Sequence, residues 1–371
     1  MVESVAAERS IRGTLSEPGV IPTIPGVDQC GLTAEGTMVK RVLIAITLLA
    51  VTAAGCSAER QWGGGAATAD GRAKIGLITK TDTNPYFVEL RESARAAAQA
   101  SGADFIALAG QFDGDNEGQV RAIENFMQQG VTTILITPNS STGVLDAIAR
   151  ARQAGILVIA LDTATEPADA VDATFATDNF EAGRLQGAYA KAALGGAPPR
   201  VLMIDGTAGS SVNTLRHNGF LAGMGLADGA PEIRGAQNAN GDQNLAQQAV
   251  ENLLSRTSDV NVVYTMNEPT ARGAHAALQG RGLAGSVVMA SIDGGCEGVA
   301  AVAAGQIRAT VMQFPARMAE LGVEAAVEYA RTQRKPTGFH DTGAAVITDQ
   351  PMPGVPSQSV AWGQQHCWGR K

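Results

Sequence analysis

Lys80-Thr81-Asp82-Thr83-Asn84-Pro85-Tyr86-Phe87 follows the apolar run Lys74-Ile-Gly-Leu-Ile-Thr79 and opens an alanine-rich amphipathic pattern that continues to Ala100. The run predicts a buried parallel strand and the pattern a helix, so the chain turns here from one into the other. Pro85 suits a first helical turn, where a missing N–H costs nothing, and Asn84 or Thr83 can cap the free amides. In an open α/β sheet, ligands sit beyond the carboxyl ends of the strands, and this loop brings a cation, an amide, a carboxylate and two aromatics there.

The same alternation runs through most of the chain. Apolar runs at 74–79, 104–109, 133–137 and 157–161 are separated by helical patterns at 85–100, 116–129 and 141–154. After a short strand at 174–176 come helix 179–194, strand 200–205, helix 212–226, strand 233–237 and helix 243–256. Strand 260–266, helix 270–280, strand 287–292 and helix 298–304 complete the series. Repeated strand–helix–strand units imply right-handed crossovers and parallel sheets covered on both faces. That many strands form two sheets of ordinary size, so the expected fold is α/β: two similar doubly wound lobes joined by a multi-strand hinge, with a cleft between them.

With 371 residues and 45% hydrophobic content, the chain has room for two full cores. It carries 28 basic against 36 acidic residues, a net charge of −8, with no Lys/Arg cluster. Nucleic acid is therefore not an expected partner.

The N-terminal region reads differently. Residues 1–37 have no hydrophobic period and contain Pro18, Pro22 and Pro25. Met38-Val-Lys-Arg41, the apolar run 42–53 and Ala54-Gly55-Cys56 then form a charged, apolar and small-residue series ending in a cysteine, the pattern of an export signal. The apolar run is too short to span a bilayer comfortably. The expected organisation is an untranslated or disordered segment at 1–37, with translation starting at Met38, a signal at 38–55, and a Gly-rich tether at 56–73.

The predicted strands end in polar groups: Thr79-Lys80, Thr137-Pro-Asn-Ser140, Asp162-Thr163, Thr177-Asp-Asn179, Asp205-Gly-Thr207, Met266-Asn-Glu268, Asp293-Gly-Gly295 and Met312-Gln-Phe314. Each alone fits a helix cap. Gathered on one edge, such acids and amides suit a polyhydroxyl ligand, whose every hydroxyl both donates and accepts.

From Lys74 onward the chain resembles the periplasmic sugar-binding proteins of ABC importers, the ribose-binding-like class of type I periplasmic binding proteins, and within it the fructose-binding branch. The motifs that carry the resemblance run in order: Thr79-Lys-Thr-Asp-Thr-Asn-Pro-Tyr-Phe87, Asp113-Gly-Asp-Asn-Glu117, Ile134-Leu-Ile-Thr-Pro138, Ala160-Leu-Asp-Thr163, Ala173-Thr-Phe-Ala-Thr-Asp-Asn-Phe180, Val263-Tyr-Thr-Met-Asn-Glu-Pro269 and Ser291-Ile-Asp-Gly-Gly-Cys296. The resemblance implies that Asn84, Tyr86 and Phe87 meet the sugar, the aromatics against its C–H side. It implies that Asp162 accepts from neighbouring hydroxyls and that Arg216, in Leu215-Arg-His-Asn-Gly-Phe220, forks onto sugar oxygens. Asn267, Asp293 and Gln313 would close over the ligand from the second lobe and the hinge, with Asn179 and Asn240 as further candidates.

Lys80 stands where ribose binders carry a small hydroxyl residue, Thr163 where they carry a second arginine, and Ile292 where an aromatic stacks on the sugar. Lys80 can supply the cation missing at Thr163. These departures argue against simple ribose specificity and leave fructose, a related sugar or a linear polyol of the xylitol type. The resemblance also implies lobe boundaries at 74–177 plus 314–343 and 178–313 plus 344–371, and closure that a membrane permease reads.

The N-terminal pattern resembles a lipoprotein signal, with Cys56 lipidated and the protein extracytoplasmic, held to the membrane through that anchor and monomeric. No cofactor or metal is expected. An enzyme would need a nucleophile with a base, yet none of His217, His275, His340 and His366 lies in a Gly-x-Ser-x-Gly or metal-ligand pattern. A transcriptional repressor sharing this core needs an N-terminal helix-turn-helix, where this chain has the signal. A chemosensory binder would use the same closed state. Export places Cys296 and Cys367 in an oxidising space, with Cys56 lipidated and Cys30 upstream of the signal, so the expected disulfide joins Cys296 to Cys367. The tail Gln365-His-Cys-Trp-Gly369 resembles that of the fructose-binding branch.

Overall fold

The computed structural model describes residues 71–369. The segment 1–37, the signal 38–55, Cys56 and all of the tether but its last three residues lie outside the described residues. Among those described, no helix is long and apolar enough to cross a membrane.

The chain runs β1 (Lys74–Thr79), α1 (Pro85–Ser101), β2 (Asp104–Ala109), α2 (Asn116–Gln129), β3 (Thr133–Ile136), α3 (Leu145–Gln153), β4 (Leu157–Leu161), β5 (Ala173–Ala176) and α4 (Asn179–Ala193). It continues through β6 (Val201–Asp205), α5 (Ser211–Met224), β7 (Ile233–Asn238), α6 (Gln243–Leu254), β8 (Val262–Thr265), α7 (Glu268–Gly280), β9 (Val288–Asp293), α8 (Cys296–Ala303) and β10 (Ala309–Met312). Then come α9 (Pro315–Thr332), β11 (Gly338–Asp341), β12 (Ala345–Ile347), β13 (Ser357–Gln358) and α10 (Val360–His366).

Two sheets result, in the order β11-β5-β4-β3-β1-β2 and β13-β12-β10-β9-β8-β6-β7. The first is parallel throughout, and the second is parallel except where β12 meets β10. We call the elements built on each sheet a lobe, and the fold is two parallel-sheet α/β lobes. The chain passes between the sheets after β5, after β10 and after β11.

Local chemistry explains the element ends. Asn84 caps α1 by accepting from the Tyr86 N–H, Pro85 occupies the first turn, and Gly102 closes the helix at φ 72°. The face of α1 that turns inward carries Tyr86, Phe87, Leu90, Ala94 and Ala98, at helical spacing against the first sheet. β3, β4, β6 and β9 are buried along their whole length, as strands covered on both faces must be.

The expected helix at 141–154 starts four residues late, at Leu145. Its would-be first turn is spent elsewhere. The Ser140 hydroxyl accepts from the amides of Thr142 and Gly143, and the Ser141 hydroxyl donates to the Ala164 carbonyl while accepting from the Ser211 amide. Hydroxyls that bond the backbone locally compete with helix formation.

In the second lobe, α4 and α5 pack almost backbone to backbone. A Cβ on Gly183 of α4 would stand 2.3 Å from the Arg216 carbonyl oxygen, and one on Gly219 of α5 would stand 2.1 Å from that of Phe180. Only glycine allows this approach. We expect Gly219→Ala to lower the urea midpoint by an amount worth roughly 1–3 kcal/mol. Gly280→Ala, whose Cβ would meet nothing within 4 Å, should leave it unchanged or slightly raised. Equal midpoints for the two variants would contradict the close packing of α4 on α5.

Candidate functional site

The carboxyl ends of the strands converge on one cavity between the sheets. Lys80 follows β1, Asp162 follows β4, Asn267 follows β8, Asp293 ends β9 and Gln313 follows β10. Asn84, Tyr86 and Phe87 reach it from the start of α1, and Arg216 from α5. About 420 Å³ of space is free of atoms there, part of it open at the mouth.

Arg216 anchors the wall. It is 2% exposed, donates Nε–H to Asn179 Oδ1 at 2.8 Å and Nη1–H to the Met266 carbonyl at 2.8 Å, and lies 3.8 Å from Asp293 Oδ1. Asp293 in turn accepts from Gln313 Nε2 at 2.9 Å and from the Glu268 amide at 3.3 Å. Across the cavity, the Asp162 carboxylate accepts from the Thr163 hydroxyl at 2.9 Å. Asp162 takes φ 64°, a left-handed conformation that aspartate tolerates better than most residues.

Two polar atoms in this wall lack full partners. Gln313 Oε1 is buried with no hydrogen-bond partner among the described residues. Among the described residues, the Lys80 ammonium, 4% exposed as a residue, has one hydrogen-bond partner, the Ser210 hydroxyl at 3.4 Å, and sits 6.0 Å from the centre of the Phe87 ring. Both residues line the cavity, and buried polar groups are almost always satisfied, so each has bonding capacity left for a ligand there.

Burial sets the titration of the acids. It pushes the Asp113 carboxyl up to about 6, with Lys80 opposing and Asp162 and Asp242 adding. Burial also raises Asp293 to about 6, against the pull of Arg216. Glu268 is pushed up to about 8 by burial and the Asp293 charge, which together outweigh the donors from Thr310, Gly294 and Gly295. The Tyr86 phenol is held well above its usual range, by burial first and then by the Asp162 charge.

Three expected contacts lie outside the cavity. Thr163 is fully buried behind Asp162, and Asn179 stands behind Arg216, its Nδ2 bonded to the Thr177 carbonyl. Asn240 lines an outer groove at the mouth, with Thr81 and Phe112. The structure adds Asp113, Ser210, Thr207, Val212, Gly241 and Met266 to the lining. Asp113 had a visible signal, an acid in a Gly-rich loop just beyond a strand. Val212 and Met266 had none, being apolar residues beside polar ones.

No group of three or more His, Cys, Asp or Glu among the described residues is arranged to hold a metal. His217 has Asp205 at 2.8 Å from Nδ1 and Asp228 at 3.8 Å from Nε2, so both ring nitrogens face carboxylates rather than a hydroxyl to activate.

The sequence profile of the periplasmic binding protein domain matches residues 75–334. The chain is 33% identical over 261 residues to the ribose import binding protein of Salmonella typhimurium, covering 70% of this chain and 86% of that one. It is 27% identical over 262 residues to the D-allose-binding periplasmic protein of Escherichia coli, covering 69% and 84%. Among solved structures, a periplasmic solute-binding protein of an ABC transporter from Actinobacillus succinogenes with bound D-allose aligns at TM-score 0.67 and 26% identity, covering 75% of this chain and 98% of that one.

The acids that line the cavity, Asp293 buried and Asp113 half-buried, give it a pH signature. Folded Asp113 and Asp293 hold their protons to about pH 6, whereas unfolded aspartates lose them at about 4. Between those limits these two carboxyls bind more protons in the folded chain than in the unfolded one, so their contribution to stability falls as pH rises. Asp113→Asn removes one of these titrations. From about pH 4.5 to about pH 6.5 the urea midpoint of that variant should fall less, or rise more, than the parent's, and an equal change in both would contradict the raised Asp113 carboxyl.

Proposed function

This chain belongs to the periplasmic binding protein domain family, in the ribose- and allose-binding-like group of ABC sugar-binding proteins, and from that premise we propose that its cavity captures one monosaccharide for an ABC permease. The observation that carries this most is the unpartnered Gln313 Oε1, buried in a wall that also presents the Asp162 and Asp293 carboxylates and the Arg216 cation. An acceptor without a donor, among carboxylates and beside a guanidinium, matches a ligand whose hydroxyls both give and take hydrogen bonds. Phe87 and Tyr86 offer apolar surface for its C–H face.

Selectivity in this proposal lies with Lys80. Its ammonium fills the region where a neutral hydroxyl would leave room, and Thr163 has withdrawn behind Asp162. That combination supports fructose or a related sugar over ribose, with a linear polyol as the second candidate. Ligand contacts from both lobes would lower the closed state relative to the open one, and the permease would read closure. Delivery fits an extracytoplasmic protein held at the membrane through a lipid on Cys56. Capture and release require no chemical step from the chain.

The test is a calorimetric panel of D-fructose, D-ribose, D-allose and xylitol against the full chain. One of them should bind, and Asp162→Ala and Arg216→Ala should each weaken that binding more than tenfold while the protein stays folded, since each leaves a buried partner unpaired at a cost of about 1–3 kcal/mol. Unchanged affinity in both variants would remove the cavity as the binding site.

A further inference from the structure

Cys296 and Cys367 are joined by a disulfide across 71 positions of sequence, which fixes the C-terminal tail to the start of α8. The residue after the bridge, Trp368, is buried and faces both lobes. On the side of the second lobe its Nε1–H donates to the carbonyls of Asp293 at 3.2 Å and Gln313 at 3.1 Å, and its own carbonyl accepts from the Cys296 amide at 2.9 Å. Toward the first lobe its ring meets Tyr86 edge-on at 5.5 Å and joins the core that α1 covers. Gly369 completes the crossing, its amide donating to Glu89 Oε2 at 3.1 Å.

We propose that Trp368, held by the Cys296–Cys367 bridge, is a positioning residue for ligand capture. It braces Asp293 and Gln313 from behind and ties the two lobes together when they close over the cavity. The proposal rests on the cavity being the ligand site. The two carbonyls it binds belong to the residues whose side chains face the cavity, so the indole sets the backbone from which both side chains project. Its contacts with Tyr86 and Glu89 join α1 to the second lobe, and parting the lobes would break them. They therefore add to the closed state alone, and removing them lowers the fraction of protein competent to hold ligand. The bridge keeps the tail near its seat, so its loss should act in the same direction and more weakly.

The experiment combines calorimetric titration with amide hydrogen exchange on the full chain, with D-ribose, D-allose and D-fructose as probes. Trp368→Ala should weaken the sugar that the parent binds by about tenfold or more, chiefly through faster release. Trp368→Phe, which keeps a ring and loses the N–H, should fall between, and Cys367→Ser should weaken binding less than Trp368→Ala. In the ligand-free protein, Trp368→Ala should speed exchange at 293–296 and 311–314, a change that a merely peripheral tail would not produce. Parent-like affinity and parent-like exchange in folded Trp368→Ala and Trp368→Phe would overturn the proposal. If the parent binds none of the probes, the monosaccharide assignment fails instead. Exchange alone then decides the brace, with faster exchange supporting it and unchanged exchange overturning it.

Discussion

A guanidinium stays charged at any pH the fold experiences, so burying Arg216 forces the structure around it to supply partners. Asn179 Oδ1, the Met266 carbonyl and the Asp293 carboxylate do so from α4, the end of β8 and the end of β9. For α5 to carry the cation to that point it must lie against α4 at glycine distance, with Gly183 and Gly219 facing the opposite backbone. Asn179 in turn reaches Thr177, at the crossing from the first sheet to the second. One buried charge thus links the helix packing of the second lobe, the strand ends and the passage between lobes.

The acids beneath the cavity form a second tier. Glu268 accepts from Gly294, Gly295 and Thr310, and its amide donates to Asp293. That network holds the turn after β9, where Asp293 takes φ 150° and Gly294 takes φ 76°. Burial raises both carboxyls, the Asp293 charge adds to the rise at Glu268, and Arg216 limits the rise at Asp293. The turn therefore balances one fixed cation against two reluctant anions, with the Trp368 N–H holding its backbone from the other side.

Much of this could be read in the sequence because the strands are buried on both faces and appear as continuous apolar runs, punctuated by polar ends such as Asp162-Thr163 and Asp293-Gly294. The Asn84-Pro85 start of α1 is a local signal and stands where its chemistry puts it. What escaped depends on distant partners. The Ser141 hydroxyl delays α3 because it meets Ala164 and Ser211, and Thr163 faces Asp162 rather than open space. Glu268 gave no sign of supporting Asp293, since its three donors come from two later segments. By contrast α9 had a clear signal, its buried Met318, Gly322, Ala326 and Tyr329 lying at helical spacing, and was not drawn into the strand–helix series. The two- and three-residue strands β13 and β12 are too short to show a period. The paired cysteines followed from compartment, whereas the seat of Trp368 between the lobes required the fold.

The central claim is that both lobes close on a sugar held at Arg216 and Asp293. A crystal structure of the protein with its sugar bound tests it most directly. The account predicts sugar oxygens at about 2.7–3.2 Å from Arg216, Asp293, Asp162 and Gln313 Oε1, with the carbon skeleton against Phe87. A sugar found in the outer groove beside Phe112 and Asn240, with Arg216 and Gln313 Oε1 untouched, would contradict it.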